Sequence, residues 1–159
     1  MIYVTVGTQL PFSRLIRAVN DLAADRGLDV FAQIGPDSSR YHAIRTEAFI
    51  SPTDADLHIQ QAELVIAHAG MGTIITASQY GKPLIIMPRH FQFGEHRNDH
   101  QMATAKRFES FPNITVVDDK RSLADAVTTA LESVQGEDYS SVSQYAPDAL
   151  ISELKKLLA

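Results

Sequence analysis

Short, mostly apolar segments alternate along this chain with segments in which apolar residues recur at helical spacing. The apolar segments are rich in β-branched residues: Ile2–Val6, Asp29–Ile34, Leu64–Ala67, Leu84–Met87 and Ile114–Val117. The helical segments are 15–23, 53–62, 73–80, 101–108 and 123–134. Strands that are apolar throughout are buried on both faces, which is typical of a parallel sheet covered by helices. The sequence therefore predicts an α/β fold with a doubly wound, mostly parallel, Rossmann-like sheet of five or six strands.

Less regular features complete the predicted organisation. A weak strand is expected around Ala48–Ile50, and Ser13 is a candidate cap for the first helix. We assign residues 1–134 to the folded domain and the Ser-rich, acidic segment 135–147 to a linker. The segment 148–159 carries an apolar stripe at helical spacing, which predicts an amphipathic helix that docks on the domain or binds another chain.

Composition and charge exclude several classes of function. At 159 residues the chain has room for one domain with a sizeable core. It carries 14 Lys and Arg against 19 Asp and Glu, and the formal net charge of -5 disfavours sequence-independent binding to nucleic acid. The absence of cysteine excludes disulfides, thiolate metal sites and cysteine nucleophiles. No apolar run approaches the ~20 residues that span a bilayer, and the opening residues are expected to form a strand and not a signal peptide.

The segment HAGMGT (68–73) lies between a predicted buried strand and the start of a helix. The first backbone N–H groups of a helix lack internal partners, and glycines let an anion approach them closely. His68 can add a ring N–H and Thr73 a hydroxyl, so we interpret this segment as a phosphate site. A tight turn that needs glycine only for packing gives the same pattern. Gly7 and Thr8 follow the first strand and should reach the same edge of the sheet, where ligands of doubly wound folds bind.

Hydrogen-bonding side chains are concentrated in EHRNDHQ (95–101), just before a predicted helix. Recognition of a sugar ring needs such groups, because carboxylates and amides meet its hydroxyls in fixed directions. Two other interpretations stay open. One is a solvated loop with Asn98 or Asp99 as helix cap, and the other is a metal site built from His96, His100 and the neighbouring carboxylates. No established zinc-motif spacing is completed, so we expect no metal here.

These motifs, in this order, resemble the nucleotide-sugar-binding half of GT-B glycosyltransferases, family 28 in particular. The resemblance runs from IYVTVGT (2–8) through HAGMGT (68–73) and GKPLIIMPR (81–89) to NDHQ (98–101), and it covers nearly the whole chain. It extends to small stand-alone subunits of two-chain members, such as the catalytic subunit of the eukaryotic UDP-GlcNAc transferase of lipid-linked oligosaccharide assembly and bacterial exopolysaccharide or capsule counterparts. The run GEHRNDHQ (94–101) is more similar to the bacterial branch.

The resemblance implies a set of site residues. Those expected at the donor diphosphate are Gly7, Thr8, His68, Gly70, Gly72 and Thr73. Those expected at the sugar or the ribose are Glu95, Asn98, Asp99, His100 and Gln101. The implied catalytic residues are His68 and Glu95. Relatives commonly carry a ribose-binding Glu three residues beyond the position of Thr73, where this chain has Thr76, and Glu95 can take its place.

The resemblance also implies an activity and partners. The expected function is that of the donor-binding, catalytic subunit of an inverting UDP-sugar hexosyltransferase in exopolysaccharide or capsule biosynthesis. Its expected partners are the UDP-sugar, a lipid-linked saccharide acceptor and a membrane-associated acceptor-binding subunit, with no cofactor and no metal. The chain would be cytoplasmic and held at the membrane by that subunit.

Some points of substrate and function stay open at the level of sequence. A donor sugar with a free carboxylate would favour a nearby cation such as Arg89 or Arg97, although either can equally be a surface charge. The alternative function is a non-catalytic nucleotide-sugar-binding subunit that supports another transferase. A dehydrogenase is disfavoured because the first turn, GTQLPF (7–12), lacks G-x-G-x-x-G.

Overall fold

The computed structural model describes residues 1–135 together with Ser152 and Lys156. Six strands lie in this part of the chain: β1 (Ile2–Thr5), β2 (Val30–Gln33), β3 (Arg45–Glu47), β4 (Leu64–His68), β5 (Leu84–Met87) and β6 (Ile114–Val116). The helices are α1 (Ser13–Arg26), α2 (Pro52–Gln61), α3 (Met71–Gln79), α4 (His100–Phe108) and α5 (Lys120–Gln135), with a 3-10 turn at Phe91–Phe93.

The six strands form one sheet in the order β3-β2-β1-β4-β5-β6. Every neighbouring pair is parallel. The chain first builds outward from β1 to β3 and then returns to the other side of β1, so the winding direction reverses between β1 and β4. The predicted doubly wound α/β fold is confirmed.

The core has two layers, one on each face of the sheet. Val4 of β1 belongs to an apolar cluster with Ile16 of α1 and Val127 of α5. Its neighbour Tyr3 points to the opposite face and lies in a cluster with Ile74 of α3. This alternation explains why the central strands are apolar at every position, since neither face of the sheet meets water.

Two predicted local features are wrong. The third strand is Arg45–Glu47 and not Ala48–Ile50, because Arg45 to Glu47 pair with Phe31 to Gln33 of β2. It is an edge strand, and charged residues are common there, so its apolar signal is weak. Ser13 does not cap α1: it is the first helical residue, and its hydroxyl donates to the Asp37 carboxylate at 3.2 Å.

The C-terminal boundary differs slightly from the prediction, since α5 continues to Gln135, the first residue of the expected linker. The rest of that linker and the terminal amphipathic helix (148–159) lie outside the described residues, apart from Ser152 and Lys156, which are both helical. Among the helices that the structure describes, none combines the length and the apolar character needed to cross a membrane.

Candidate functional site

The reversal of the sheet at β1 and β4 opens a crevice at the carboxyl ends of these two strands. Thr5 of β1 pairs with Ala67 of β4, so the loop that begins at Gly7 leaves the sheet beside His68. The helices that follow, α1 and α3, pack on opposite faces. In open α/β sheets such a switch point is where ligands bind. The structure thus brings together the two glycine-containing segments that the sequence suggested for a phosphate site.

The ring of His68 fills the space next to two of these glycines. A Cβ atom at Gly70 would lie 2.6 Å from Nε2 of His68, and one at Gly7 would lie 3.2 Å from the same atom. Gly7 also has a φ of 77°, in the left-handed region that favours glycine. Packing of the His68 ring therefore accounts for both glycines.

The N-terminus of α3 is open at this edge of the sheet. Its N-cap residue is Gly70, which has no side chain to bond the first turn. The N–H groups of Met71, Gly72 and Thr73 therefore lack partners within the helix. A Cβ at Gly72 would meet nothing within 4 Å, so the backbone there is accessible to a ligand. This arrangement of free N–H groups and helix dipole suits a phosphate oxygen.

The side chain of Gln101, at the start of α4, connects His68 at the end of β4 to Arg89 in the loop after β5. Its Nε2 lies 3.0 Å from Nδ1 of His68. Its Oε1 accepts from the backbone N–H of Ala69 and from that of Arg89, each at 3.2 Å. Gln101 is buried, and the bonds described for its side chain all go to protein atoms. A contact of Gln101 with a sugar stays a prediction.

His68 is uncharged at neutral pH. Burial lowers the pKa of His68 to about 4, and the positive charge of Arg89 acts in the same direction. Its interaction with Gln101 opposes this lowering. At neutral pH the crevice therefore presents oriented N–H dipoles and an uncharged imidazole.

Arg89 follows β5 and is buried, with 3% of its surface exposed. Its guanidinium donates to four main-chain carbonyls, those of Pro11, Glu95, Val6 and Leu10, at 2.8, 3.2, 2.6 and 3.0 Å. Burial lowers the pKa of Arg89 to about 10, so it stays charged at neutral pH. The sequence left open a ligand-binding or a surface role for Arg89. In the structure its guanidinium instead connects the loop after β1 to the loop after β5. Arg97, the other candidate cation, is exposed.

Glu95 forms an ion pair with Arg14 of α1. Its Oε2 accepts from Nε of Arg14 at 2.9 Å, and its Oε1 accepts from Nη2 at 3.0 Å. Oε1 also accepts from the backbone N–H of His90 at 3.0 Å. Both carboxylate oxygens are therefore engaged in attaching the loop after β5 to α1. The predicted catalytic and sugar-binding roles of Glu95 stay predictions.

The remaining polar residues of the loop shape its backbone. Asn98 accepts from the backbone N–H of His100 at 3.0 Å, and Asp99 accepts from that of Phe91 at 3.0 Å. Asp99 is the N-cap residue of α4 but makes no side-chain cap bond, and the His100 residue is exposed. Within residues 1–135 and the two described helical residues beyond, no group of three or more His, Asp or Glu side chains is arranged to hold a metal ion.

The predicted hydroxyl residues lie at the crevice in different settings. Thr8 is exposed in the loop after β1, and Thr73 is half-buried in the first turn of α3. Thr76 donates from its hydroxyl to the carbonyl of Gly72 at 3.0 Å, within its own helix. The position where the resemblance implies a ribose-binding Glu thus holds a hydroxyl that bonds the backbone of its own helix.

Sequence reasoning missed Gln33, which shapes the first loop of the site. Its Nε2 donates to the carbonyls of Gly7 and Ala48 at 2.8 and 2.7 Å, and its Oε1 accepts from the Thr5 hydroxyl at 2.7 Å. Gln33 is 4% exposed. A polar residue at the end of an otherwise buried strand was the available signal, because a buried amide must find partners.

Solved structures with the same fold are glycosyltransferases and related proteins. The kitacinnamycin glycotransferase matches with a TM-score of 0.69 and 16% identity over 98% of this chain and 39% of its own. MurG of Acinetobacter baumannii matches with a TM-score of 0.62 and 19% identity over 97% and 49%. ALG13 matches with a TM-score of 0.58 and 17% identity over 82% and 85%. The chain thus spans about two fifths to half of the first two relatives and most of the third.

Sequence comparison assigns the family directly. Among curated proteins, none matches this chain significantly. Residues 1–146 match the family described as glycosyltransferase family 28 C-terminal domain, which is more than nine tenths of the chain. The structural likenesses, all below 25% identity, agree with this assignment at the level of the fold. The chain therefore belongs to the glycosyltransferase family 28 C-terminal domain family.

Proposed function

We propose that this chain is the donor-binding, catalytic subunit of an inverting UDP-sugar hexosyltransferase. The proposal rests on the part of the crevice that lies between β1 and β4, which we call the niche. In the niche, Nε2 of His68 lies beside Gly70 at the open N-terminus of α3. A nucleoside diphosphate group matches this niche because it offers anionic oxygens to unpaired N–H donors. The family assignment supports the same class of ligand.

In the proposed reaction an acceptor hydroxyl attacks the anomeric carbon from the face opposite to the diphosphate. The bond between the anomeric carbon and the diphosphate oxygen breaks, and UDP leaves with that electron pair. The N–H groups at Gly72 and Thr73 and the ring N–H of His68 would stabilise the growing negative charge. Each well-aimed donor of this kind contributes about 3 kcal/mol in the transition state. No step of this scheme requires a metal ion.

The acceptor proton needs a base, and we place that base in a second subunit. Glu95 is engaged with Arg14, and the lowered pKa of His68, about 4, makes His68 a weak proton acceptor. A general base works best with a pKa near the working pH.

We further propose that the second subunit is membrane-associated and binds a lipid-linked saccharide acceptor. The resemblance of GEHRNDHQ (94–101) to the bacterial two-chain enzymes supports a role in exopolysaccharide or capsule biosynthesis. In this proposal the chain is cytoplasmic and reaches the membrane through its partner. The proposal keeps Glu95, Asn98, Asp99, His100 and Gln101 as the candidates for contact with the sugar or the ribose.

The first test is binding of UDP to the full chain by calorimetry. We expect His68→Ala to weaken UDP binding about 10- to 100-fold, because it removes one donor to a charged oxygen. The matched control is His42→Ala, the same change at an exposed histidine before β3, and it should leave UDP binding unchanged. Binding of NAD in place of UDP, or equal effects of both substitutions, would contradict the proposal.

The second test separates a catalytic subunit from a non-catalytic one. The chain is reconstituted with its membrane-associated partner, and transfer of sugar from the UDP-sugar to the lipid-linked acceptor is followed. His68→Ala should lower turnover by about two orders of magnitude while assembly of the pair is unchanged. Unchanged turnover would favour the non-catalytic alternative, and a full rate from the single chain would refute the need for a partner.

A further inference from the structure

Gln101 joins three elements at the ligand niche. It lies at the start of α4, its Oε1 contacts the loops after β4 and after β5, and its Nε2 contacts the ring of His68. The family resemblance assigns this position to the hydroxyls of the donor sugar. The bonds that the structure gives to the Gln101 amide point to a further role, toward His68.

The orientation of the Gln101 amide is determined by its partners. Oε1 lies 3.2 Å from the backbone nitrogens of Ala69 and of Arg89, and both nitrogens carry a proton. An amide NH2 in that place would set donor against donor twice, so the oxygen must occupy it. The NH2 group is then the atom that faces Nδ1 of His68 at 3.0 Å.

The proton on His68 is determined in turn. Because the NH2 group of Gln101 can only donate, Nδ1 of His68 must accept and cannot carry a proton. A neutral imidazole then carries its single proton on Nε2. Nε2 is the ring atom that lies next to Gly7 and Gly70, on the side of the niche.

We infer that Gln101 is a positioning residue that keeps the single proton of the neutral His68 ring on Nε2, so that His68 presents a hydrogen-bond donor toward the niche. The other neutral tautomer would turn a lone pair toward an anion and repel it. The bond from Gln101 therefore decides whether His68 attracts or repels a phosphate oxygen. The inference rests on the proposed function only for the identity of that anion.

Nitrogen NMR of the full chain labelled with 15N tests the inference without ligand. In the wild-type protein we expect Nε2 of His68 to be protonated and Nδ1 to be unprotonated throughout pH 8 to 5.5. We also expect a 15N–15N coupling across the hydrogen bond between Nε2 of Gln101 and Nδ1 of His68. A proton on Nδ1, or titration of His68 within this range, would overturn the inference even if no variant could be made.

The substitution Gln101→Glu separates positioning from support of the fold. A glutamate keeps the acceptor for the N–H groups of Ala69 and Arg89, and those bonds favour its ionised form. Its second oxygen then faces Nδ1 of His68 as an acceptor, so the proton should move to Nδ1. We expect this shift in the His68 nitrogen signals. The far-UV circular dichroism spectrum, which reports the secondary structure, should stay unchanged. A merely structural glutamine would leave the His68 signals as they are in the wild-type protein, which would refute the inference.

A control variant and a measurement of UDP binding separate the test of Gln101 from the test of the proposed function. Gln61→Glu, the same change at the exposed end of α2, should alter neither the His68 signals nor binding of UDP. Gln101→Glu should weaken UDP binding at least tenfold, because the donor to the phosphate is lost or a negative charge is added beside it. If the His68 signals shift as expected but the wild-type chain does not bind UDP, the positioning role stands and the proposed function fails.

Discussion

Arg89, two residues beyond β5, donates from Nη2 to the main-chain carbonyl of Val6, just beyond the end of β1, at 2.6 Å. The two residues are 83 positions apart in sequence. The same guanidinium bonds the carbonyls of Leu10 and Pro11, so it closes the loop after β1 onto the loop after β5. The first glycine loop of the candidate site therefore depends on a cation from the other half of the sheet.

Replacing Arg89 should destabilise the protein strongly. Arg89→Met removes a buried charged donor that bonds four main-chain carbonyls, and we expect the free energy of unfolding to fall by about 3 kcal/mol. Urea denaturation followed by circular dichroism measures it. The control Arg97→Met, at an exposed arginine in the following loop, should change the free energy by less than about 0.5 kcal/mol. Similar small losses for both variants would contradict the internal role of Arg89.

Gly70 and Gly72, two residues apart in sequence, should respond oppositely to replacement by alanine. Gly70→Ala should displace the His68 ring and lower stability, because the new Cβ would lie 2.6 Å from Nε2. Gly72→Ala meets nothing within 4 Å and lies in α3, so stability should rise by up to about 1 kcal/mol. Its Cβ would nevertheless extend into the niche and weaken UDP binding. Undiminished UDP binding by a stable Gly72→Ala variant would show that phosphate does not approach that backbone.

The ion pair of Glu95 with Arg14 allows a test of whether Glu95 acts in chemistry or in structure. In a double-mutant cycle with Glu95→Gln and Arg14→Gln, we expect a coupling of about 1 to 2 kcal/mol in stability, since Arg14 remains partly exposed. In the reconstituted enzyme the two single variants should lower turnover equally. A far larger loss of turnover in Glu95→Gln alone would show that Glu95 takes part in the reaction, as the family resemblance implies.

The lowered pKa of His68 makes stability depend on pH in a defined direction. The folded protein holds His68 neutral down to a pKa of about 4, whereas an unfolded histidine takes up a proton near 6.5. Below pH 6.5 the unfolded state binds more protons, so stability is present above this pH and is lost as pH falls toward 4. Between pH 6.5 and 5 the loss should be about 2 kcal/mol. The variant His68→Gln should lack this part of the pH dependence. An unchanged dependence would contradict a His68 ring that is neutral in the folded protein.

Much of the candidate site could be located from sequence, but its internal connections could not. The segments around Gly7, His68 and residues 95–101 each follow a strand that is apolar and therefore easy to recognise. Their convergence at one edge follows from the parallel arrangement of those strands. The hydrogen-bond partner of each polar side chain cannot be predicted in this way. A glutamate or an arginine after a strand can bind a ligand or an equally suitable group elsewhere in the protein.

The sequence by itself determined the fold class, because strands buried on both faces must be apolar at every position and this pattern is local. It also determined where the glycines and His68 lie relative to a strand and a helix. Only the tertiary structure decided that Arg89 bonds the loop after β1 and that Glu95 pairs with Arg14 of α1. It also decided that Gln101 faces His68. Those bonds join residues tens of positions apart, and burial, which forces each polar group to find a partner, exists only once the chain has folded.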